Sequence, residues 1–334
     1  MRFWPFRGRR PTAPPAAPDL LVTEDLLRRN VEDLLVVREY LIHGAIYEFR
    51  GELLIAPARA VDRLVERFRP FGYTPFLRRA RAGGVVLQAW PLAETIERSR
   101  IALNVVLFLL TCASTLIAGL MYSGSPTFDA LRSSPSAARF LAGVPFAATL
   151  MAILVVHEFG HYFTARHYNA SVSLPYFIPL PIGFLGTLGA IIRMRSPGRD
   201  RNSLFDIAAA GPLAGLAVAV LAMLVGLAWS TVVPLPPSGH MAFGDSLLTR
   251  LLVQLRFGAI PEGFMVFTHP MADAAWAGFL VTALNLFPAG QLDGGRIAYA
   301  LFGRHHRAVG KGTVVALVLF GVGSVLWNLL SGSA

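Results

Sequence analysis

Residues 140–161 read FLAGVPFAATLMAILVVHEFGH, and this stretch decides how the chain folds. Phe140 to Val156 carries no charge, and His157-Glu158-Phe159-Gly160-His161 follows at once. Ionisable groups at the depth of an apolar span are costly in lipid, so they require a metal, a partner or a water-filled cavity. Histidines four residues apart share one helix face, about 6 Å apart along the axis, and can grip a single divalent ion. A glutamate beside the first of them is placed to take a proton from water near that ion. The stretch therefore predicts a metal site inside a membrane helix, with His157 and His161 as ligands and Glu158 as base.

Composition extends the reading. The chain has 334 residues, of which 54% are hydrophobic, and its mean hydropathy is +0.54. These values point to a polytopic membrane protein. The net charge of +10 comes from arginines beside apolar segments, which orient spans in a bilayer and do not indicate nucleic-acid binding. Lys311 is the only lysine, and the Arg- and Ala-rich composition suggests a GC-rich bacterial genome and a cell-membrane location. Cys112, the single cysteine, rules out a disulfide framework and a thiolate metal site.

Outward from the decisive stretch, three regions are expected. Residues 1–19, with Arg2, Arg7, Arg9 and Arg10, read as a disordered basic tail without a cleavable signal. Residues 20–92 read as a small soluble α+β domain: a helix over Glu24–Leu41, a strand over Ala45–Ile55, a helix over Ala58–Phe68, and a hairpin of Tyr73–Arg79 with Val85–Trp90. Residues 93–334 form the membrane part, mostly α, with about five spans near 101–121, 139–165, 205–230, 274–301 and 312–331. Between the second and third spans, Ser173–Ile192 is apolar but holds Pro175, Pro179, Pro181, Gly183, Gly186 and Gly189, which exclude a regular helix. It reads as a re-entrant segment ending in a strand, Thr187–Met194. Arginines at 98, 100, 193, 195, 199, 201, 304 and 307 fall on one side, which places the amino terminus and the soluble domain in the cytoplasm.

A hydrolytic zinc takes three protein ligands plus water. Among the downstream carboxylates, Asp200 reads as a solvated loop charge, Asp206 as a helix cap, and Asp245, Glu262 and Asp273 fall on the outer side. Asp293 lies inside the fourth span, after Asn285-Leu286-Phe287-Pro288 and before Gly294-Gly295. Counted from the outer starts of two parallel spans, His157 and Asp293 reach similar depth, roughly 27 Å at helical rise. Gly294 and Gly295 would let the helix distort and bring the carboxylate to the metal. His167 offers a rival third ligand, but a continuous helix carries it about 9 Å past His161.

With both motifs in hand, the chain resembles the site-2 protease family of intramembrane zinc metalloproteases. His157-Glu158-Phe159-Gly160-His161 is similar to its first motif, and Asn285-Leu286-Phe287-Pro288 with Leu292-Asp293-Gly294-Gly295 to its second. The stretch from Tyr162 to Gly215 resembles bacterial relatives of the chloroplast ethylene-dependent gravitropism-deficient branch. The resemblance implies one Zn²⁺ per chain, with Glu158 taking a proton from water and passing it to the leaving amine. It further implies a single-span transmembrane protein as substrate, met within the lipid bilayer. An unwound substrate helix could pair with the strand edge at Thr187, Leu188 and Gly189. Asn285 has two readings, an oxyanion or substrate-backbone contact and polar packing between helices.

Members of that branch usually continue through further spans after the segment at 312–331, so the carboxyl terminus is expected outside and gating is expected to differ. Gly211-Pro212-Leu213-Ala214-Gly215 reads as close helix packing without chemistry. The alternative to an enzyme is a membrane metal-binding or transport protein, against which stands the lack of a duplicated motif. Oligomeric state is not legible.

Overall fold

The computed structural model describes residues 20–44, 46–80, 83–91, 101–122, 137–168, 170, 172–181, 183–194, 200–235 and 244–331. The expected basic tail and the hairpin turn at 81–82 lie outside the described residues. Met1–Ile96 and Glu97–Ala334 form two compact units.

In the first unit, α1 (Leu20–Arg29) leads to β1 (Leu35–His43) and β2 (Ile46–Leu53); α2 (Pro57–Phe68) leads to β3 (Tyr73–Arg79) and β4 (Val85–Pro91). The antiparallel sheet has the order β1-β2-β4-β3. The helix expected over Glu24–Leu41 instead ends at Arg29, and its second half is strand. Val36, Val37, Tyr40 and Ile42 favour extended backbone, and pairing of Tyr40 with Phe49 and Ile42 with Tyr47 outweighs the leucine spacing. Leu27, Leu34, Phe49, Leu64, Phe68 and Leu87 close the core. Between Tyr47 and Phe49, strand alternation turns Glu48 to the opposite face. There it is buried and bonded by Arg50 Nε at 2.8 Å and Gln88 Nε2 at 2.5 Å.

The second unit runs α3 (Ile101–Tyr122), α4 (Ala137–Ala142), α5 (Val144–His167), β5 (Tyr176–Pro179), β6 (Thr187–Ile191), α6 (Arg201–Ala228), β7 (Thr231–Pro234), α7 (Leu247–Phe257), β8 (Phe264–Phe267), α8 (Pro270–Asn285), α9 (Asp293–Phe302) and α10 (His306–Ser331). Among the described residues, four stretches are long and apolar enough to cross a membrane: Ile101–Leu120, Val144–His167, Arg201–Ala228 and Asp293–Trp327. The continuous span expected at 274–301 is instead two helices, α8 and α9, interrupted at 286–292. Pro288 and the left-handed Gly290 (φ 59°) prevent regular helix there.

Helix α6 starts at Arg201 because Asp200 caps it. The Asp200 carboxylate accepts from Ser203 N at 2.7 Å, and Ser203 Oγ accepts from Asp200 N at 3.1 Å. Asp200 is therefore the cap, and Asp206 accepts a hydrogen bond from the Tyr168 hydroxyl instead.

The segment expected to hold one strand forms a hairpin, β5 against β6, extended by a Val172–Met194 bridge. Helix α3 clamps it at two points. Asn104 Nδ2 donates to Pro175 O at 2.7 Å, and Ser114 Oγ donates to Gly186 O at 2.6 Å. Gly186 has φ 72°, and a Cβ there would lie 2.6 Å from Thr115 Cα, so only glycine permits this approach.

Three clusters hold the helices, the smallest joining Ala165 of α5 to Ile207 of α6; the other two are larger. Ala118, Phe146, Leu150, Leu154, Ala274 and Ala277 belong to one, with Phe177 of β5. Ile153, Met223, Leu227, Leu252, Ala275 and Phe279 belong to the other. Small residues permit the close contacts. A Cβ on Gly226 would lie 2.5 Å from Ala272 N, and one on Gly278 would lie 2.8 Å from Ile153 Cδ1.

Candidate metal centre

The apolar helix α5 carries His157 and His161 into the interior, where they are 3% and 2% exposed. Their Nε2 atoms lie 3.2 Å apart. Asp293 Oδ2 stands 3.2 Å from His161 Nε2 and 3.4 Å from His157 Nε2. A tetrahedral zinc with ligand bonds of 2.0–2.1 Å separates its ligands by about 3.3–3.4 Å. The nearly equilateral triangle of donors thus has the size of one face of that tetrahedron. Two neutral imidazoles with one carboxylate form a donor set suited to zinc.

Local sequence explains how a residue 132 positions away reaches the histidines. Asp293 opens α9, directly after the break. A Cβ on Gly294 would overlap the Leu286 carbonyl, and one on Gly295 would lie 2.5 Å from Gly290 O. The two glycines let the 286–292 loop fold back over the first turn of α9. Their role is close backbone contact at a helix start, in place of the expected distortion within a helix. Arg296 NH1 lies 3.8 Å from Asp293 Oδ1, on the carboxylate oxygen not facing the imidazoles.

The opposing wall is α6. His161 Nδ1 donates to Ile207 O at 2.7 Å, which fixes the tautomer and leaves the Nε2 lone pair free for a metal. A Cβ on Gly211 would overlap the His161 ring, and one on Gly215 would lie 3.0 Å from His157 Cβ. The GxxxG read as plain helix packing is therefore the surface against which both imidazoles lie. Ile207 was missed in the sequence because a backbone acceptor has no residue signature; the GxxxG was the available signal.

Glu158 is 5% exposed, and its carboxyl lies within electrostatic reach of both imidazoles, Asp293 and Arg296. Asn285 is the half-buried last residue of α8. Thr187 is buried, donates to Ile178 O at 2.9 Å and accepts from Gly189 N at 2.9 Å. Leu188 is 68% exposed. Among the described residues β6 pairs only with β5, so no strand covers its other edge. His167 ends α5, exposed, with its ring on Tyr168 and outside the donor triangle.

The sequence model of peptidase family M50 matches residues 145–327. Among curated proteins, the chain is 38% identical over 194 residues to the probable zinc metalloprotease EGY2, chloroplastic, of Oryza sativa subsp. indica, covering 56% of this chain and 34% of that one. It is 34% identical over 184 residues to the protein of the same name from Arabidopsis thaliana, covering 53% of this chain and 32% of that one. It is 38% identical over 189 residues to the probable zinc metalloprotease EGY1, chloroplastic, of Arabidopsis thaliana, covering 54% and 32%. The chain spans about a third of the length of these curated relatives. No solved structure gives a significant match.

Proposed function

The chain belongs to peptidase family M50, the site-2 protease family, and from that premise we propose that it is an intramembrane zinc metalloendopeptidase cleaving single-span membrane proteins within their transmembrane helices. The observation that carries this reading is the buried triangle of His157 Nε2, His161 Nε2 and Asp293 Oδ2, sized for one zinc ion. Zinc held by these three residues supplies Lewis acidity, which acidifies water and polarises a peptide carbonyl.

Glu158 accepts the proton released by the attacking water and returns it to the leaving amine, so the peptide bond breaks with one water consumed. Its burial removes competing solvent and favours this exchange over leakage of the proton. Asn285 donates its amide to the oxyanion or to the substrate backbone.

A transmembrane helix hides its carbonyls in internal hydrogen bonds and must unwind before attack. The edge of β6 that no strand covers offers backbone donors and acceptors to the unwound segment, and the exposed Leu188 offers an apolar side-chain contact beside it. The arginine-rich connections favour a cell-membrane orientation with the amino terminus in the cytoplasm. The reading assigns the chain to regulated intramembrane proteolysis.

Reconstitution with a panel of single-span substrates tests the proposal. The wild type is expected to cut at least one of them, while Glu158→Gln keeps its zinc and loses cleavage. Cleavage by Glu158→Gln, or zinc retained in full by Asp293→Asn, would overturn it.

A further inference from the structure

Helix α7 has three unlike sides. Leu248, Leu252, Val253 and Phe257 pack into the cluster that holds Met223 and Leu227, the last turns of α6. Leu247, Leu251 and Leu255, recurring every fourth residue, are 88%, 53% and 73% exposed. Arg250 and Gln254 are exposed as well and lie on the other flank of the leucine stripe, between it and the packed Val253 and Phe257. The order around the axis is therefore protein-facing apolar, outward apolar, then polar.

The position of the helix gives the outward stripe a partner. Gly211 and Gly215 lie against the metal-site imidazoles, and α6 runs on from there to Ala228, about 20 Å at helical rise. α7 thus sits at the end of α6 remote from the metal centre. Its 11 residues extend about 16 Å, far too short to cross a hydrocarbon layer of about 30 Å. The same end of α6, a helix long and apolar enough to cross a membrane, exposes Leu224 and Val225 at 47% and 44%, with Trp229 just beyond it at 61%, so apolar side chains stand outward on both helices at this end of the unit. Tryptophan settles at the headgroup level, and arginine near a helix end reaches it by extending its long side chain.

We propose that α7 lies in the plane of the membrane, with Leu247, Leu251 and Leu255 inserted at the boundary of acyl chains and headgroups in the leaflet opposite the metal centre. The occupant of the stripe is the bilayer. Arg250 and Gln254 face water, and Arg256, exposed and lying 4.9 Å over the Phe257 ring, stands at headgroup level. The helix anchors the far ends of α6 and α8 at a fixed depth, whatever reaction the centre performs.

Spin labels placed one at a time at 247, 250, 251, 254 and 255, on a Cys112→Ser background in phosphatidylcholine/phosphatidylglycerol vesicles, test this. Collisions with molecular oxygen are expected to exceed those with a polar nickel reagent several-fold at 247, 251 and 255, with the order reversed at 250 and 254. Nickel-dominated collisions at 251 and 255 would overturn the proposal. So would shielding from both reagents with dipolar broadening between copies, which marks a protein contact. Unsubstituted protein provides a second measurement, by irradiation beside a phosphatidylcholine carrying a diazirine near its headgroup. Adducts are expected on residues 247–257, and adducts on α6 with none on α7 would also overturn the proposal.

Discussion

A methyl group at position 211 has no room, because it would occupy the volume of the His161 ring. Gly211→Ala must therefore push that imidazole off the Ile207 carbonyl or push α6 off α5, and either disturbs the donor triangle. Loss of the partner that orients a metal-bound histidine typically weakens metal binding by 10–100-fold. Gly211→Ala is accordingly expected to lower zinc affinity by roughly 10-fold or more, read by competition with a calibrated chelator, while helical content stays intact. Gly215→Ala, whose Cβ would stand 3.0 Å from His157 Cβ, is expected to lose less. Equal affinity for Gly211→Ala and wild type would mean that the ring contact does not orient His161. At this scale the sequence was partly legible. Histidine, glutamate and aspartate announce metal chemistry by type, so His157, Glu158, His161 and Asp293 stood out. The Ile207 carbonyl did not, and Gly211 and Gly215 revealed that something packs closely without revealing that it is the imidazole pair.

Breaks and clamps act at the scale of elements. The 286–292 loop folds over α9 because Gly294 lets the Leu286 carbonyl approach, and a side chain there forces the loop and the first turn apart. Gly294→Ala is expected to displace Asp293 and reduce bound zinc well below one per chain, measured by metal analysis of detergent-purified protein. Gly303→Ala, with its Cβ against the Arg201 guanidinium at 3.3 Å, is expected to retain zinc. The hairpin gives a separable prediction. Ser114 donates to the Gly186 carbonyl from α3, so Ser114→Ala frees one end of the hairpin without touching a ligand. Cleavage by Ser114→Ala should show a raised KM with zinc stoichiometry unchanged, and an unaltered KM would separate the hairpin from substrate binding. Apolar patterning located the long apolar helices of the membrane unit but missed α7 inside the expected connection at 231–273 and could not reveal the break between α8 and α9. Leu286, Phe287 and Leu292 keep hydropathy high through a segment that has left the helix, and only Pro288 and the Gly294-Gly295 pair hinted at it. The same limit applied at Glu24–Leu41, where leucine spacing resembled a helix and cross-strand pairing made a strand.

Over the whole molecule, acid acts on each unit through different buried groups. The membrane unit buries Glu158 and Asp293 beside its imidazole pair, and the first unit buries Glu48 on its sheet, away from any candidate metal ligand. Burial by itself would raise the Glu48 carboxyl. Hydrogen bonds from Gln88 and Arg50, with the charges of Arg50 and Arg78, outweigh that and hold it below its ordinary value of 4.5. The folded carboxyl therefore binds its proton less tightly than the unfolded one. Its contribution to stability is complete above the ordinary glutamate range and is lost as pH falls through the lower folded value. Asp33, lowered chiefly by its hydrogen bond from Arg67, is 52% exposed on its side chain and contributes little after solvent screening. Amide exchange on the full-length chain can read this locally. Protection of β2 and β4 is expected to fall as pH drops below about 4.5, with intrinsic exchange corrected for. Glu48→Gln keeps the shape and removes the titration, so its β2 and β4 protection is expected to be lower at neutral pH and nearly flat on acidification. A slope as steep as in wild type would assign the acid response of this unit to other carboxylates and leave Glu48 a packing residue.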